Sequence, residues 1–166
     1  MIVLIGFMGA GKTTVGALLA DRLGLPFVDS DKVLENSEGL SVRELFESRG
    51  EAGFRRIEAA TITGLLDGPE VVLAVGGGAL ATPEVRAALV GNQVVLLDVA
   101  FQQALERVAA DPGRPMLYQP NLSGLYDGRQ DAYRAAAEVA VPVSGRSPRE
   151  VVDDVVAALG GDGMGE

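Results

Sequence analysis

The chain has 166 residues, 48% hydrophobic and 22% charged, which is enough apolar content for one domain with a buried core and no more. No run of about 18 apolar residues is present, which speaks against a transmembrane helix, and the absence of cysteine and histidine excludes disulfides, thiolate zinc sites, thiol nucleophiles and imidazole bases. The net charge of −9 argues against a general nucleic-acid or anionic-membrane surface, while leaving room for a small anionic substrate held by a few placed cations.

The apolar start, Met1 to Ile5, has no basic residue before it and is cut short by Lys12, so it does not read as a secretory signal, and a cytoplasmic protein is expected. Residues 2–5 read as a short buried strand, followed by a glycine-rich turn and a helix over 12–23 closed by Gly24 and Pro26. Residues 27–29 form a second short strand. Ser41-Val42-Arg43-Glu44 has the spacing of a capping box and opens a helix ending near Gly50, with a longer helix over 53–66 stopped by Gly68-Pro69. A third strand spans 71–75, and Thr82-Pro83 supplies an N-cap with proline in the first turn. A fourth strand spans 94–99 and a helix 102–110. Residues 111–128 hold Pro112, Gly113, Pro115, Pro120, Gly124 and Gly128 without a clear period, which predicts a lid or binding loop. A fifth strand over 138–143 and a helix from Ser147-Pro148 to Leu159 complete the domain, with a frayed tail over 160–166. Short, near-continuous apolar strands alternating with helices predict a parallel sheet covered on both faces.

Three motifs carry chemistry. Gly6-Phe7-Met8-Gly9-Ala10-Gly11-Lys12-Thr13 matches G-x-x-x-x-G-K-[ST] in full, between a strand and a helix. Backbone N–H groups of such a loop point at phosphate oxygens, and the helix N-terminus adds its positive end. Lys12 is placed to bridge the β- and γ-phosphates, Thr13 to ligate Mg²⁺, and Thr14 to approach the α-phosphate. Asp29-Ser30-Asp31 ends the second strand, where residues two apart point to the same side, so both carboxylates can face one cleft. Gly76-Gly77-Gly78 follows the third strand, at the end where open α/β sheets bind ligands, and lets a ligand approach the backbone closely.

Together with Thr14-Val15-Gly16, Gly53-Phe54-Arg55-Arg56-Ile57-Glu58, Gly76-Gly77-Gly78-Ala79 and Gly113-Arg114-Pro115-Met116-Leu117, these segments resemble shikimate kinase in order and spacing from residue 1 to about 159. The resemblance implies a three-layer α/β P-loop kinase fold with a central five-stranded parallel sheet, a substrate-binding helical region near 31–60 and a lid over about 111–128. It implies ATP-dependent phosphorylation of the 3-hydroxyl of shikimate, a step towards chorismate and the aromatic amino acids, with one Mg²⁺ bound through Thr13 and Asp29. The loop from Gly9 through Ala10, Gly11, Lys12 and Thr13 to Thr14 would hold the triphosphate, and Arg107 and Arg146 would flank the adenine. Asp31 would bind the ring hydroxyls and orient the reacting one, Arg55 and Arg129 would hold the shikimate carboxylate, and Glu58, also substrate-binding, would help orient it. Gly76, Gly77 and Gly78 would offer backbone N–H groups, Phe46 and Phe54 would wall the pocket, and Arg114 would reach the transferring phosphate from the lid. No nucleic acid, membrane or second copy is implied, and a monomer is expected.

Taken alone, Arg107, Arg129 and Arg146 read as solvated surface arginines, and Phe46 and Phe54 as core residues. Arg55 stands at the start of a helix, an end that the helix dipole makes unfavourable for a cation, so either an anion meets it there or it lies at the surface. The sequence departs from the family pattern at Asp131, where proline is usual two residues after the second substrate arginine, at Ala74, where a small polar residue is usual, and in a shorter lid. Two other readings of the same motifs are a kinase for another small acceptor such as gluconate, and a nucleotide-dependent switch. The switch would need a signal such as Asn-Lys-x-Asp, which the sequence lacks.

Overall fold

A computed structural model describes residues 1–110 and 121–160. Its centre is β1 (Ile2–Ile5), four residues buried on both faces and therefore apolar at every position rather than at alternate ones. β1 pairs in parallel with β3 (Val72–Ala74) on one side and β4 (Gln93–Asp98) on the other, so that Leu4 stands beside both Ala74 and Val95. β2 (Phe27–Asp29) and β5 (Val139–Pro142) close the edges, giving a five-stranded, all-parallel sheet in the order β2-β3-β1-β4-β5. This order brings the carboxyl ends of β1, β2 and β3 together, and with them the three motif-bearing segments.

Helices flank the sheet. α1 (Lys12–Leu23) ends on Gly24, whose positive φ of 66° lets its N–H return to the carbonyls of Ala20 and Asp21. α1 packs beside α7 (Pro148–Leu159), which starts with the reciprocal Ser147/Glu150 capping box. α3 (Val42–Leu66) carries the Ser41/Glu44 box and is broken at Gly50, with φ 68° and ψ 174°, so the two helices expected there run end to end across a kink. α4 (Pro83–Ala88) and α5 (Phe101–Ala109) fall within a few residues of their expected places.

Two helices were not read from local sequence pattern, although the first lies in the helical region near 31–60 that the resemblance implies. α2 (Ser30–Glu38) begins at the Asp-Ser-Asp motif, with the Asp29 side chain accepting from the Asp31 N–H at 3.0 Å. Residues 122–128, read as part of a loop, belong to α6 (Leu122–Ala136), capped by Asn121, whose side chain accepts from the Gly124 N–H at 3.0 Å. Leu122, Leu125, Tyr126 and Tyr133 share one face of α6 and pack on the main core, so tertiary burial overrides the low helix propensity of Gly124 and Gly128. The rest of the expected lid, 111–120, and the tail over 161–166 lie outside the described residues. Among the described residues no helix is long and apolar enough to cross a membrane.

The main core covers both faces of the sheet, and a satellite cluster of Leu34, Leu45 and Phe54, flanked by Leu40, Val42, Phe46 and Ile57, ties α2 to α3. Two helical glycines separate propensity from packing. Gly16 is buried on α1, and a Cβ there would overlap the Phe27 ring; Gly64 on α3 has open space around its Cα. Alanine relieves about 1 kcal/mol of helix cost in either place, whereas overpacking costs about 1–3 kcal/mol. Urea unfolding should therefore show Gly64→Ala stabilised by about 0.5–1 kcal/mol and Gly16→Ala destabilised by about 1 kcal/mol; a stabilised Gly16→Ala would show that the Phe27 contact is not tight.

Candidate active site

The turn from β1 into α1 needs backbone that only glycine adopts easily: Gly9 and Gly11 have φ of 77° and 88°. The first turn of α1 contains no acidic side chain and Gly11 gives no side-chain cap, so its N–H groups face outward as an anion site. Lys12 folds back over the turn, its Nζ donating to the Gly6 carbonyl at 2.7 Å and the Phe7 carbonyl at 3.2 Å. Thr13 Oγ1 donates to Asp29 Oδ2 at 2.8 Å, across from the end of β2. Asp29 thus serves the loop with one oxygen and caps α2 with the other.

Gly76 to Gly78 leave room at the end of β3 for four charged side chains. A Cβ on Gly76 would collide with Glu58 and Asp31, and one on Gly78 would collide with the guanidinium groups of both Arg55 and Arg129. α3 presents Arg55 and Glu58 three residues apart on one face, and Arg55 Nη1 donates to Glu58 Oε2 at 2.5 Å, with side chains 13% and 3% exposed. The Arg55 guanidinium also lies over the stacked rings of Phe46 and Phe54, 5.6 and 5.3 Å from their centroids. Phe54 is therefore both a core residue of the satellite cluster and a wall of the pocket. From α6, Arg129 reaches the same glycine run and lies 5.7 Å from the centroid of Phe7 in the phosphate loop. Tyr133, one turn further along α6, donates its hydroxyl proton to the Gly77 carbonyl.

Electrostatics follow from this crowding. Burial, with the negative charges of Asp29 and Glu58 added, pushes Asp31 from 3.8 to about 6, against the pull of Lys12. Burial also raises Glu58, and the Arg55 guanidinium offsets part of that rise. Burial lowers Arg129 from the usual arginine value, although Tyr133 acts the other way. A carboxylate with a pKa near neutrality, facing a loop built for phosphate, can take a proton from a hydroxyl.

A cleft of about 600 Å³ joins these parts, lined by Gly9, Gly11 to Thr14, Asp29, Asp31, Phe46, Phe54, Arg55, Glu58, Gly76 to Gly78, Arg107 and Arg129. Ala10 and Arg146 instead line a neighbouring recess of about 260 Å³ with Gly11, Thr14, Val15, Arg107 and Pro148. Arg107 thus stands between the two spaces, its Nη1 donating to the Gly9 carbonyl at 2.9 Å, and Arg146 is ion-paired with Asp154. Arg114 lies outside the described residues. Asp131 is exposed on α6 and Ala74 is buried at the end of β3.

The reading from sequence omitted Met8, Lys32, Glu35, Val42 and Val108, which also line the cleft, and Tyr133 behind it. Glu35 fastens α2 to α3 by accepting from the Val42 N–H at 3.0 Å, and within α2 it accepts from Lys32 Nζ at 2.9 Å. Recognising α2 and α6 as helices would have found Glu35 and Tyr133, because each sits one turn from a residue already singled out.

Among the described residues no group of three or more aspartate, glutamate, histidine or cysteine side chains is gathered to hold a metal by itself. Thr13 and Asp29 offer two oxygen donors at the phosphate loop, a set that suits a magnesium ion completing its shell from phosphate and water.

A sequence model of the shikimate kinase family matches residues 8–160. The chain is 43% identical over 163 residues to a shikimate kinase of Pseudomonas syringae pv. tomato, covering 95% of each chain. It is 41% identical over 163 residues to one of Psychrobacter arcticus, covering 95% of this chain and 88% of the relative. Its fold is similar to that of shikimate kinase from Acinetobacter baumannii in complex with shikimate, with a TM-score of 0.94, 34% identity, and 99% and 94% of the two chains covered.

The raised pKa of Asp31 has a cost in stability. As pH rises from about 4 to about 6 the unfolded chain loses this proton before the folded one does, so stability falls through that window and the full penalty is present above it. Without nucleotide or Mg²⁺, Asp31→Asn should be more stable than the parent at pH 7 by about 1–2 kcal/mol, a figure reduced from the full shift because the cleft admits solvent, and equal to it near pH 4. Urea midpoints at the two pH values measure this; the same difference at both would show that ionisation of Asp31 carries no penalty.

Proposed function

The chain belongs to the shikimate kinase family, and from this premise we infer that it transfers the γ-phosphoryl group of ATP to the 3-hydroxyl of shikimate, within the biosynthesis of chorismate and the aromatic amino acids. The observation that carries the reading is the convergence of Arg55 and Arg129 on Gly78, inside the cleft that the phosphate loop opens into. Two guanidinium groups side by side suit a small carboxylate rather than a neutral sugar, and their fork geometry receives it through paired N–H donors. Glu58 keeps Arg55 oriented and balances its charge, and Phe46 and Phe54 give the ring of the acceptor an apolar wall.

Phosphoryl transfer passes through a loose, highly charged transition state, so the protein acts chiefly by positioning and by cation stabilisation. Backbone N–H groups from Gly9 to Thr14 hold the triphosphate. Lys12 leaves the carbonyls of Gly6 and Phe7 for the β- and γ-phosphates, and Arg114 reaches the transferring group. Thr13 and Asp29 would hold Mg²⁺, which when bound would supply charge neutralisation to the phosphates. Asp31 orients the 3-hydroxyl and accepts its proton, and the backbone of Gly76 to Gly78 approaches the acceptor. Arg107 and Arg146 flank the adenine in the adjoining recess. The enzyme acts as a cytoplasmic monomer.

An ADP-release assay with ATP and shikimate, gluconate or AMP in parallel tests the acceptor. ADP release should depend on shikimate; release with gluconate or AMP and none with shikimate would overturn the assignment. Arg55→Ala deletes one member of a desolvated charge pair, a change that costs about 2–5 kcal/mol, so shikimate affinity should fall by about 30-fold or more. MgATP affinity measured by calorimetry should stay within about threefold of the parent, under 1 kcal/mol.

A further inference from the structure

Tyr133 is 1% exposed and, among the described residues, one of the largest fully buried side chains, yet it carries a hydroxyl. A buried phenol that served only as packing would be replaceable by phenylalanine; one kept as tyrosine must satisfy its oxygen. The hydroxyl donates its one proton to the carbonyl of Gly77, the middle of the glycine run. Its lone pairs remain to accept, and Arg129, one turn earlier on α6, brings its guanidinium to the same glycine, 3.7 Å from where a Cβ on Gly77 would stand, so that its positive charge favours the oxygen. Burial pushes the phenol up to about 12, so the proton stays on the oxygen at any pH at which the enzyme works. The hydroxyl is thus a joint between two parts of the acceptor pocket that arrive from separate elements: the segment after β3 and the arginine of α6.

We propose that Tyr133 is a positioning residue for the acceptor, its hydroxyl holding the Gly77 backbone and the Arg129 guanidinium at a fixed separation so that both meet the same substrate. The proposal rests on shikimate being that acceptor. Tyr126, on the same helix, supplies the comparison: its hydroxyl donates to the Val99 carbonyl at 2.7 Å, away from the glycine run. Both tyrosines close a side-chain to backbone hydrogen bond; only Tyr133 closes one onto the pocket.

Purified full-length parent, Tyr133→Phe, Tyr126→Phe, Arg129→Lys and Tyr133→Phe/Arg129→Lys are compared by ADP release, with thermal melts alongside. Tyr133→Phe should raise the shikimate KM about tenfold while the MgATP KM stays within about twofold, because the hydroxyl that ties the glycine run to α6 beside Arg129 is lost from one substrate's site. Partial unfolding would instead lower kcat by removing active molecules and leave KM where it is. Tyr126→Phe should lower the melting temperature without changing the shikimate KM. In the Arg129→Lys background, Tyr133→Phe should add less than about twofold, since the two residues act as a unit. An active parent with an unchanged shikimate KM in Tyr133→Phe, equal shifts in both KM values, or full additivity with Arg129→Lys would overturn the proposal and leave the acceptor assignment standing. A parent inactive on shikimate would overturn both.

Discussion

The buried ion pair of Arg55 and Glu58 is the constraint around which the acceptor side of the molecule is built. An ionised carboxylate with 3% of its side chain exposed is affordable only beside a cation that shares its burial. Arg55 meets that need with one N–H and keeps the rest of its fork for the cleft. Two kinds of room must then be found. Gly76 and Gly78 supply it on one side, since a single methyl group at either would displace a carboxylate or a guanidinium. The stacked rings of Phe46 and Phe54 supply it on the other, where a cation over an aromatic face is attracted rather than merely tolerated. The satellite cluster of α2 and α3 therefore has a second task besides stability: it fixes the wall against which Arg55 rests.

The nucleotide side depends on a different economy. Its cations and N–H groups are held by backbone geometry at the end of β1, and Lys12 is parked on carbonyls of its own loop. Sheet order makes the two sides one site. With β3 next to β1 and β2 next to β3, the phosphate loop, the Asp29–Asp31 corner and the glycine run issue from neighbouring strand ends. Asp29 and Asp31 stand at the seam. Asp29 is tied to the loop through Thr13, while Asp31 is crowded by Glu58 on the far side and drawn by Lys12 on the near side. A carboxylate whose pKa rises to about 6 is the expected result of burying Asp31 beside the like charges of Asp29 and Glu58, with Lys12 offsetting only part of the rise. That same crowding makes the site a place where the fold gives up stability for chemistry.

What was legible in the sequence was what local rules dictate. The phosphate loop, the apolar strands, the capping boxes at Ser41 and Ser147, and the break near Gly50 each announce themselves within a few residues. α2 was hidden because Asp29-Ser30-Asp31 carries a functional meaning that masked its role as a helix start. α6 was hidden because Gly124 and Gly128 argue locally for a loop, and only burial of Leu122, Tyr126 and Tyr133 decides otherwise. The arginines show the limit most clearly. Nothing in the neighbourhood of Arg129 separates it from Arg134 on the same helix; its value lies in reaching a glycine run about fifty residues earlier in the chain. The resemblance to a family could mark that position, but not the hydroxyl of Tyr133 that holds it. The pKa of Asp31 was likewise beyond reach, since it is raised chiefly by burial, and besides its neighbour Asp29 the charges that act on it, Glu58 and Lys12, are distant in sequence and adjacent in space.

The central claim is that the paired guanidinium groups beside Gly78 receive the carboxylate of the acceptor and thereby place its hydroxyl before the phosphate loop. Comparing shikimate with its methyl ester tests this most directly, because the ester keeps the ring and every hydroxyl and removes only the charge. In an ADP-release assay at saturating MgATP, the account predicts a kcat/KM for the ester lower by about 100-fold or more, the equivalent of about 3 kcal/mol of lost transition-state binding. An ester turned over as well as shikimate itself would contradict it.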